Sequence, residues 1–328
     1  MDYLRSTSTD PFFNMAFDQA CLQAPPAAQP FFYLWQNSPA VIIGLNQNAY
    51  SEVNLPLLQE KGIALVRRVT GGGAVYHDLQ NLNYTIAGRL KDLERDFPDY
   101  MNMVADALCK LGVNASLSGR NDIMVDGRKC SGYAKRVWRD RIMIHGTLMF
   151  DVNLQDMITA LSAPGSKFTA AGVASVRSRV ANLKEYLPQF GDIGGFRSAM
   201  QEILAAGGVE IPVPASMTEL ASREADTRFR TWEWNVGRSP AADFTSNGKF
   251  SCGTVQASWS LARGVLKSLS FRGDFIGDKP ADALSEALKG CRMEADALLT
   301  AMEKSGISPS DCFDGMSSDE LLGLLGVR

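Results

Sequence analysis

The chain is 328 residues long, carries a formal charge of −3, and is 45% hydrophobic and 21% charged. Those values describe a globular protein of two domains, or of one large domain with an appendage, and exclude a disordered chain. The net negative balance also speaks against bulk nucleic-acid binding, whose affinity comes from neutralising phosphates. Six cysteines without a C-x-x-C pair, and only two histidines, His77 and His145, offer no zinc-site spacing. There is no signal-like apolar core at the start and no run of about 18 apolar residues. The expectation is a reduced, cytoplasmic protein without a membrane or nucleic-acid partner.

Asp10 and Pro11 open a helix over 12–22 as N-cap and first-turn proline, and prolines at 25, 26 and 30 end it. Residues 31–35 and 41–44 read as paired strands across the turn Asn37-Ser38-Pro39, and 55–61 as a short helix. Residues 67–77, RRVTGGGAVYH, then follow a β-branched run at 63–66 and precede an alternating strand at 82–87. Three consecutive glycines let the backbone take positive φ and let a ligand approach its N–H groups, with two arginines just upstream. That describes an anion cradle displayed on a sheet. Its spacing fits neither the dinucleotide fingerprint nor the P-loop. Taken alone, such a run is more often a glycine-rich turn or bulge.

Pro98 and Asp99 start an amphipathic helix over 100–111 that Gly112 stops. Asp126-Gly127 marks a hairpin between 123–125 and 129–133, and Arg139-Asp140 a weaker one between 137–138 and 141–150. From 120 to 141 seven basic residues stand against three acidic ones. Blunting of edge strands accounts for Arg136, Arg139 and Arg141. Lys129 differs, because Cys130, Ser131 and Gly132 beside it are small and leave room for a ligand; the other reading is a surface lysine opposite a hairpin turn. Asn121 and Asp122 suit a nucleotide and Mg²⁺, or simply cap a turn.

Residues 163–176 are small and aperiodic, as in a loop able to fold over a site, and the acid-free stretch 163–179 adds Lys167, Arg177 and Arg179. Helices are expected over 193–205 and 216–226, with a short extended link at 209–213. The turn-rich stretch 237–248 suggests a domain boundary. Strands at 250–261 and 265–271, then helices near 280–289, 294–304 and 317–325, make a small β-then-α domain. The expected division is 1–238 for a catalytic domain, 239–248 for a linker and 249–328 for an accessory domain.

Five stretches in this order, RRVTGGGAVYHD, SGRNDIMVDGRKCSGYA, HGTLMF, GVASVRSRVANL and WEWNVG, make the chain resemble the lipoate–protein ligase A family over nearly its whole length. The resemblance implies an α+β fold, with a biotin/lipoate ligase-like mixed sheet and helices followed by a small α+β C-terminal domain. It also implies an ATP-dependent ligase. Such an enzyme forms lipoyl-AMP and acylates a lysine on lipoyl domains of 2-oxo-acid dehydrogenase complexes and on the glycine cleavage H protein. Positions matching Arg68, Gly73, Ala74, Val75 and Tyr76 contact the nucleotide in that family, and Lys129 matches a lysine that touches both substrates. Asn121 joins the nucleotide candidates and Asp122 is the candidate Mg²⁺ ligand.

Arg68, Gly72, His77 and Lys129 would serve lipoate, although His77 is equally a packed structural histidine. The stretch 171–179 would close over the adenine side, and the C-terminal domain would close for activation and swing away for the acceptor. A related transferase acting through a cysteine thioester would need a thiolate beside the lysine. Cys130 neighbours Lys129, but alternate strand residues face opposite ways.

Overall fold

A computed structural model describes residues 1–27, 30–93, 97–118, 121–162 and 178–328. Among these, 1–45, 62–161 and 178–231 cluster as one unit, and 46–61, Ser162 and 232–328 as a second.

The first unit is built on a seven-stranded mixed sheet. In chain order the first unit's strands are β1 (Asp2–Tyr3), β2 (Phe31–Trp35), β3 (Ala40–Ile43), β4 (Ala64–Arg67), β5 (Val75–His77), β6 (Asn81–Arg89), β7 (Ala115–Ser118), β8 (Asp122–Val125), β9 (Arg128–Trp138) and β10 (Arg141–Met149). The large sheet runs β1-β2-β6-β10-β9-β8-β7, and a small sheet runs β4-β3-β5. β2 and β3, expected to pair with each other, therefore belong to different sheets. The turn at 37–39 hands the chain from one sheet to the other instead of folding it back.

Alternation along β6 and β10 separates two faces. Leu82, Tyr84, Ile86, Ile142, Ile144 and Leu148 join the main apolar cluster, where Val104 and Leu108 of the helix Phe97–Lys110 and Phe196 and Met200 of the helix Ile193–Ala205 close over them. Asn83, Thr85, His145 and Thr147 lie on the other face. There the helix Pro11–Gln23 packs, started by Asp10, whose Oδ1 accepts from the Phe12 N–H at 3.0 Å. The Asp126-Gly127 and Arg139-Asp140 turns form as the sequence predicts, with Asp126, Gly127 and Arg139 at positive φ.

The second unit carries β11 (Ala242–Phe250), β12 (Gly253–Ala262) and β13 (Val265–Gly273) in an antiparallel sheet, followed by the helices Ala281–Leu288, Ala295–Ser305 and Ser318–Leu324. Most of the stretch expected as a linker is thus a strand. Its serine, threonine and asparagine sit in register with β12 from Ala242↔Leu261 to Phe250↔Gly253, and turn-forming residue types disguise a pairing made with backbone.

Candidate active site

The glycine run is held from both sides of the small sheet. β4 delivers Arg67 and Arg68 to it and β5 takes the chain away, both paired to β3. Gly72 has a φ of +95°, and Gly44 at the end of β3 is the position over which the run folds: a Cβ on Gly44 would collide with the Gly72 carbonyl oxygen. The strand β5 is only three residues long, too short for periodicity to signal.

Arg68 is buried, and its guanidinium is spent on the protein itself. Nη1 donates to the Ile42 carbonyl at 3.0 Å, and Nη2 donates to the carbonyls of Gly71 and Gly73 at 2.7 and 2.8 Å. Nε donates to Thr70 Oγ1 at 2.9 Å. Burial lowers its pKa to about 10, so it stays a cation at neutral pH. With its carbonyls drawn toward Arg68, the run keeps its N–H groups for something else. Arg136, expected to blunt an edge, instead donates to the Val69 carbonyl at 2.5 Å and braces the same loop.

Behind Arg68 lies a chain of buried polar groups that sequence reading missed. Thr70 Oγ1 meets His145 Nε2 at 2.8 Å, and His145 Nδ1 meets Asp18 Oδ2 at 2.6 Å. Asp18 Oδ1 also accepts from Thr85 Oγ1 and Tyr33 Oη. An aspartate on an apolar helix and a histidine in an apolar strand, remote in sequence, carry no periodic signal that pairs them. The HGTLMF stretch was the available hint.

Lys129 reaches the site because β9 is irregular. Met124 pairs with Lys129 but Ile123 pairs with Ser131, leaving Cys130 as the extra residue of a bulge. The parity of the strand flips there, so Lys129, Gly132 and Ala134 share the cavity side while Cys130 is fully buried in the apolar cluster. Cys130 and Lys129 face apart as alternation predicts, and the bulge changes the parity only beyond Cys130. Burial also pushes the Cys130 thiol up to about 12, which removes the thiolate a thioester route needs. Gly132 clears the path for the ammonium, since a Cβ there would sit 3.0 Å from Lys129 Nζ. Nζ pairs with Asp122 Oδ1 at 2.7 Å, and the Lys129 N–H donates to the Arg179 carbonyl at 2.8 Å.

These elements enclose a cavity of about 130 Å³. Of the residues singled out in the sequence, Arg68, Gly72, Gly73, Ala74, Val75, His77, Asn121 and Lys129 line it. Tyr76 is buried outside its wall, and Asp122 reaches it only through Lys129. Arg120, Lys167, Arg177 and the expected loop at 163–176 lie outside the described residues. The cavity wall combines cationic and N–H-bearing groups, from Arg68, the glycine run and Lys129, with the apolar side chains of Met15, Trp35 and Ile42. His77, also in the wall, is neutral: burial, then the charges of Arg68 and His145, lower its pKa to about 3. Such a cavity suits an amphiphilic acid whose head is brought against a phosphate.

The sequence profile of the lipoyl protein ligase A/B catalytic domain matches residues 10–205, and that of the bacterial lipoate protein ligase C-terminus matches residues 239–325. The chain belongs to the lipoate–protein ligase family. It is similar to lipoate-protein ligase LplJ of Bacillus subtilis (strain 168), with 34% identity over 322 residues that cover 96% of this chain and 97% of the relative. Among solved structures it is similar to a bi-partite lipoate protein ligase from Thermoplasma acidophilum, described with its E2 lipoyl domain, at 27% identity and a TM-score of 0.64 over 72% of this chain and 95% of that one. A lipoate-protein ligase A bound with ATP matches at 26% identity and a TM-score of 0.62, over 72% of this chain and 98% of that one. The family's α+β fold is the one seen here, and most of the candidate residues line one cavity of the first unit.

Proposed function

We infer that this family member is an ATP-dependent lipoate–protein ligase that activates lipoate as lipoyl-AMP and transfers the lipoyl group to a lysine of lipoyl domains. The observation that carries the reading is the convergence of the glycine run and the Lys129 ammonium on one half-apolar cavity. The N–H groups at Gly73, Ala74 and Val75 receive phosphate oxygens, with Asn121 beside them. The lipoyl chain runs past Gly72 along His77, Met15 and Trp35, where each buried CH₂ contributes ~0.8 kcal/mol.

Lys129 holds the carboxylate of lipoate against the α-phosphorus. A unit charge at about 4 Å is worth roughly 4 kcal/mol at an effective dielectric constant of 20, enough to offset much of the repulsion between carboxylate and polyphosphate. The carboxylate oxygen bonds to phosphorus as pyrophosphate leaves with its electron pair. When the acceptor lysine, as a free amine, attacks the mixed anhydride, Lys129 steadies the oxyanion until AMP departs. Arg68 serves both substrates by fixing the loop, and Tyr76 supports the loop from behind.

Mg²⁺ fits the residues present as a substrate-held ion rather than a caged one. Among the described residues no group of three or more His, Cys, Asp or Glu gathers, but the part-exposed Asp122 carboxylate stands beside Lys129. Asp122 would hold the ion, which neutralises phosphate charge when bound. The acceptors in this reading are the lipoyl domains of 2-oxo-acid dehydrogenase E2 subunits and the H protein, with support from the relative described with an E2 lipoyl domain. Six free cysteines support a reduced, cytoplasmic setting.

The test is incubation with lipoate, ATP and an apo lipoyl domain, following pyrophosphate release and protein acylation separately. Wild type is expected to show both, and Lys129→Ala to lose at least 100-fold in each, in the range of a lost oxyanion donor at about 10²–10³. Wild-type rates of both steps in Lys129→Ala would remove Lys129 from the mechanism.

A further inference from the structure

Two hydrogen-bond donors on the cavity wall are without an acceptor among the described residues: His77 Nε2 and Asn83 Nδ2. His77 is 3% exposed and Asn83 0%. The proton on His77 can be located by following its partners outward. Asn14 Nδ2 donates to the carbonyls of Ser8 and Gln36 at 3.1 and 2.9 Å, which fixes that atom as the amide nitrogen. That nitrogen shares its two hydrogens with a third neighbour, the Asn37 side-chain atom at 2.8 Å, which must be the acceptor Oδ1, so Asn37 turns its own nitrogen to His77 Nδ1 at 3.1 Å. Nδ1 is therefore the acceptor, and the ring proton of the neutral imidazole sits on Nε2.

Asn83 Oδ1 accepts from Asn81 Nδ2 at 2.7 Å, which leaves Asn83 Nδ2 and Asn81 Oδ1 over. Trp35 puts the two residues side by side: its ring lies edge-on to His77 at 5.9 Å, and it is the register partner of Asn83. Trp35 Nε1 is already used, donating to Thr85 Oγ1 at 2.9 Å. Met15 and Ile42 add apolar wall, and Thr147, the register partner of Asn83, adds a hydroxyl.

Buried polar groups are nearly always paired, and a buried donor left without a partner costs free energy. A ligand that fills this part of the cavity gains by bringing an acceptor, and one that is pure hydrocarbon leaves both donors unpaired. In the ligase reading the carboxylate is not that acceptor, because Lys129 holds it against the α-phosphorus. We propose that His77 Nε2–H and Asn83 Nδ2 recognise divalent sulfur at the far end of the acyl chain, so that the cavity selects lipoate over the straight-chain acid octanoate. Sulfur is a weak acceptor, so the selection is moderate rather than absolute. This rests on the ligase reading above and adds to it the basis of acyl choice.

The experiment measures kcat/KM for pyrophosphate release by the full chain with lipoate and with octanoate, in wild type, His77→Phe and Asn83→Leu. Both substitutions keep the side chain's approximate shape and remove the donor. The lipoate-to-octanoate ratio is expected to favour lipoate in wild type and to fall about tenfold in each variant, equivalent to 1.4 kcal/mol. An unchanged ratio, or equal losses with both acids, overturns the proposal, as it would if a trapped water served the donors whatever the acid. Release with neither acid in wild type overturns the ligase reading and this proposal with it. A second measurement needs no variant: the ¹⁵N resonance of His77 Nε2 in wild type should report a protonated nitrogen and shift with lipoate but not with octanoate. A proton found on Nδ1 in the free protein would sink the assignment.

Discussion

His77 and Lys129 show how much one side chain's surroundings decide. His77 is neutral because burial lowers its pKa to about 3 from 6.5. The unfolded chain therefore binds a proton below pH 6.5 that the folded chain refuses until about pH 3. Stability falls as pH drops through that window, by at most about 1.4 kcal/mol per unit from this group. Thermal melts of His77→Phe should accordingly be less steeply pH-dependent between pH 6.5 and 4 than those of wild type, and identical slopes would contradict the assignment. For Lys129 the telling neighbour is Gly132. A methyl at Gly132 would stand 3.0 Å from Nζ, so Gly132→Ala should displace the ammonium and lower the adenylation rate about 10-fold or more, as expected when a positioned group shifts by about 1 Å, with Tm nearly unchanged.

Lys129 and its small neighbours were legible in the sequence because a cation beside Cys-Ser-Gly is locally odd. The bulge at Cys130 was not, since a bulge is a fact about the partner strand as much as about its own. Asp18 and His145 were illegible for a related reason: each looks like a lone polar residue in an apolar element, and only the fold brings Nδ1 to within 2.6 Å of the carboxylate.

At the level of elements, the glycine run is a loop stretched over Gly44 and tied by Arg68. Gly44→Ala would push a methyl into the Gly72 carbonyl, a backbone atom that no rotamer can move. Destabilisation of about 1–3 kcal/mol is expected, with a raised KM for ATP, readable by denaturant titration and initial rates. Thr70→Val keeps the volume but removes the link between Arg68 Nε and His145 Nε2. It should raise the KM for ATP several-fold while leaving melting within about 2 kcal/mol of wild type, the loss typical of one or two buried hydrogen bonds. An unaltered KM would mean that the loop does not need the buried chain behind it.

Helices with capping signals were readable within a residue or two, as with 193–205 and the helix Pro11–Gln23. Strands that pair across sheets were not. β11 was hidden because Ser246, Asn247 and Gly248 look like a turn until Ala257, Gln256 and Val255 stand opposite them. The expected closing loop at 163–176 lies outside the described residues.

At the scale of the whole molecule, the second unit is assembled from separate parts of the chain. Residues 46–61 leave the first unit after β3, fold with the second, and return to β4. Within the second unit, Asn48 Nδ2 donates to the Pro240 carbonyl, the Ala49 N–H donates to Ser239 Oγ, and the Tyr50 hydroxyl donates to the Met293 carbonyl at 3.2 Å. A chain ended near Gly237 would leave Tyr50, now 7% exposed, without the surface it packs on. Such a truncation is expected to melt lower and to form adenylate more slowly than the full chain. Equal rates would show that the second unit has no part in activation.

The same excursion makes the two halves of the polypeptide hard to part. A single proteolytic nick between Gly237 and Pro240 breaks the peptide bond but leaves the upstream fragment's own segment packed on the downstream one. The cleaved halves should co-elute on gel filtration and separate only in denaturant, much as a split protein is kept whole by an interlocked piece.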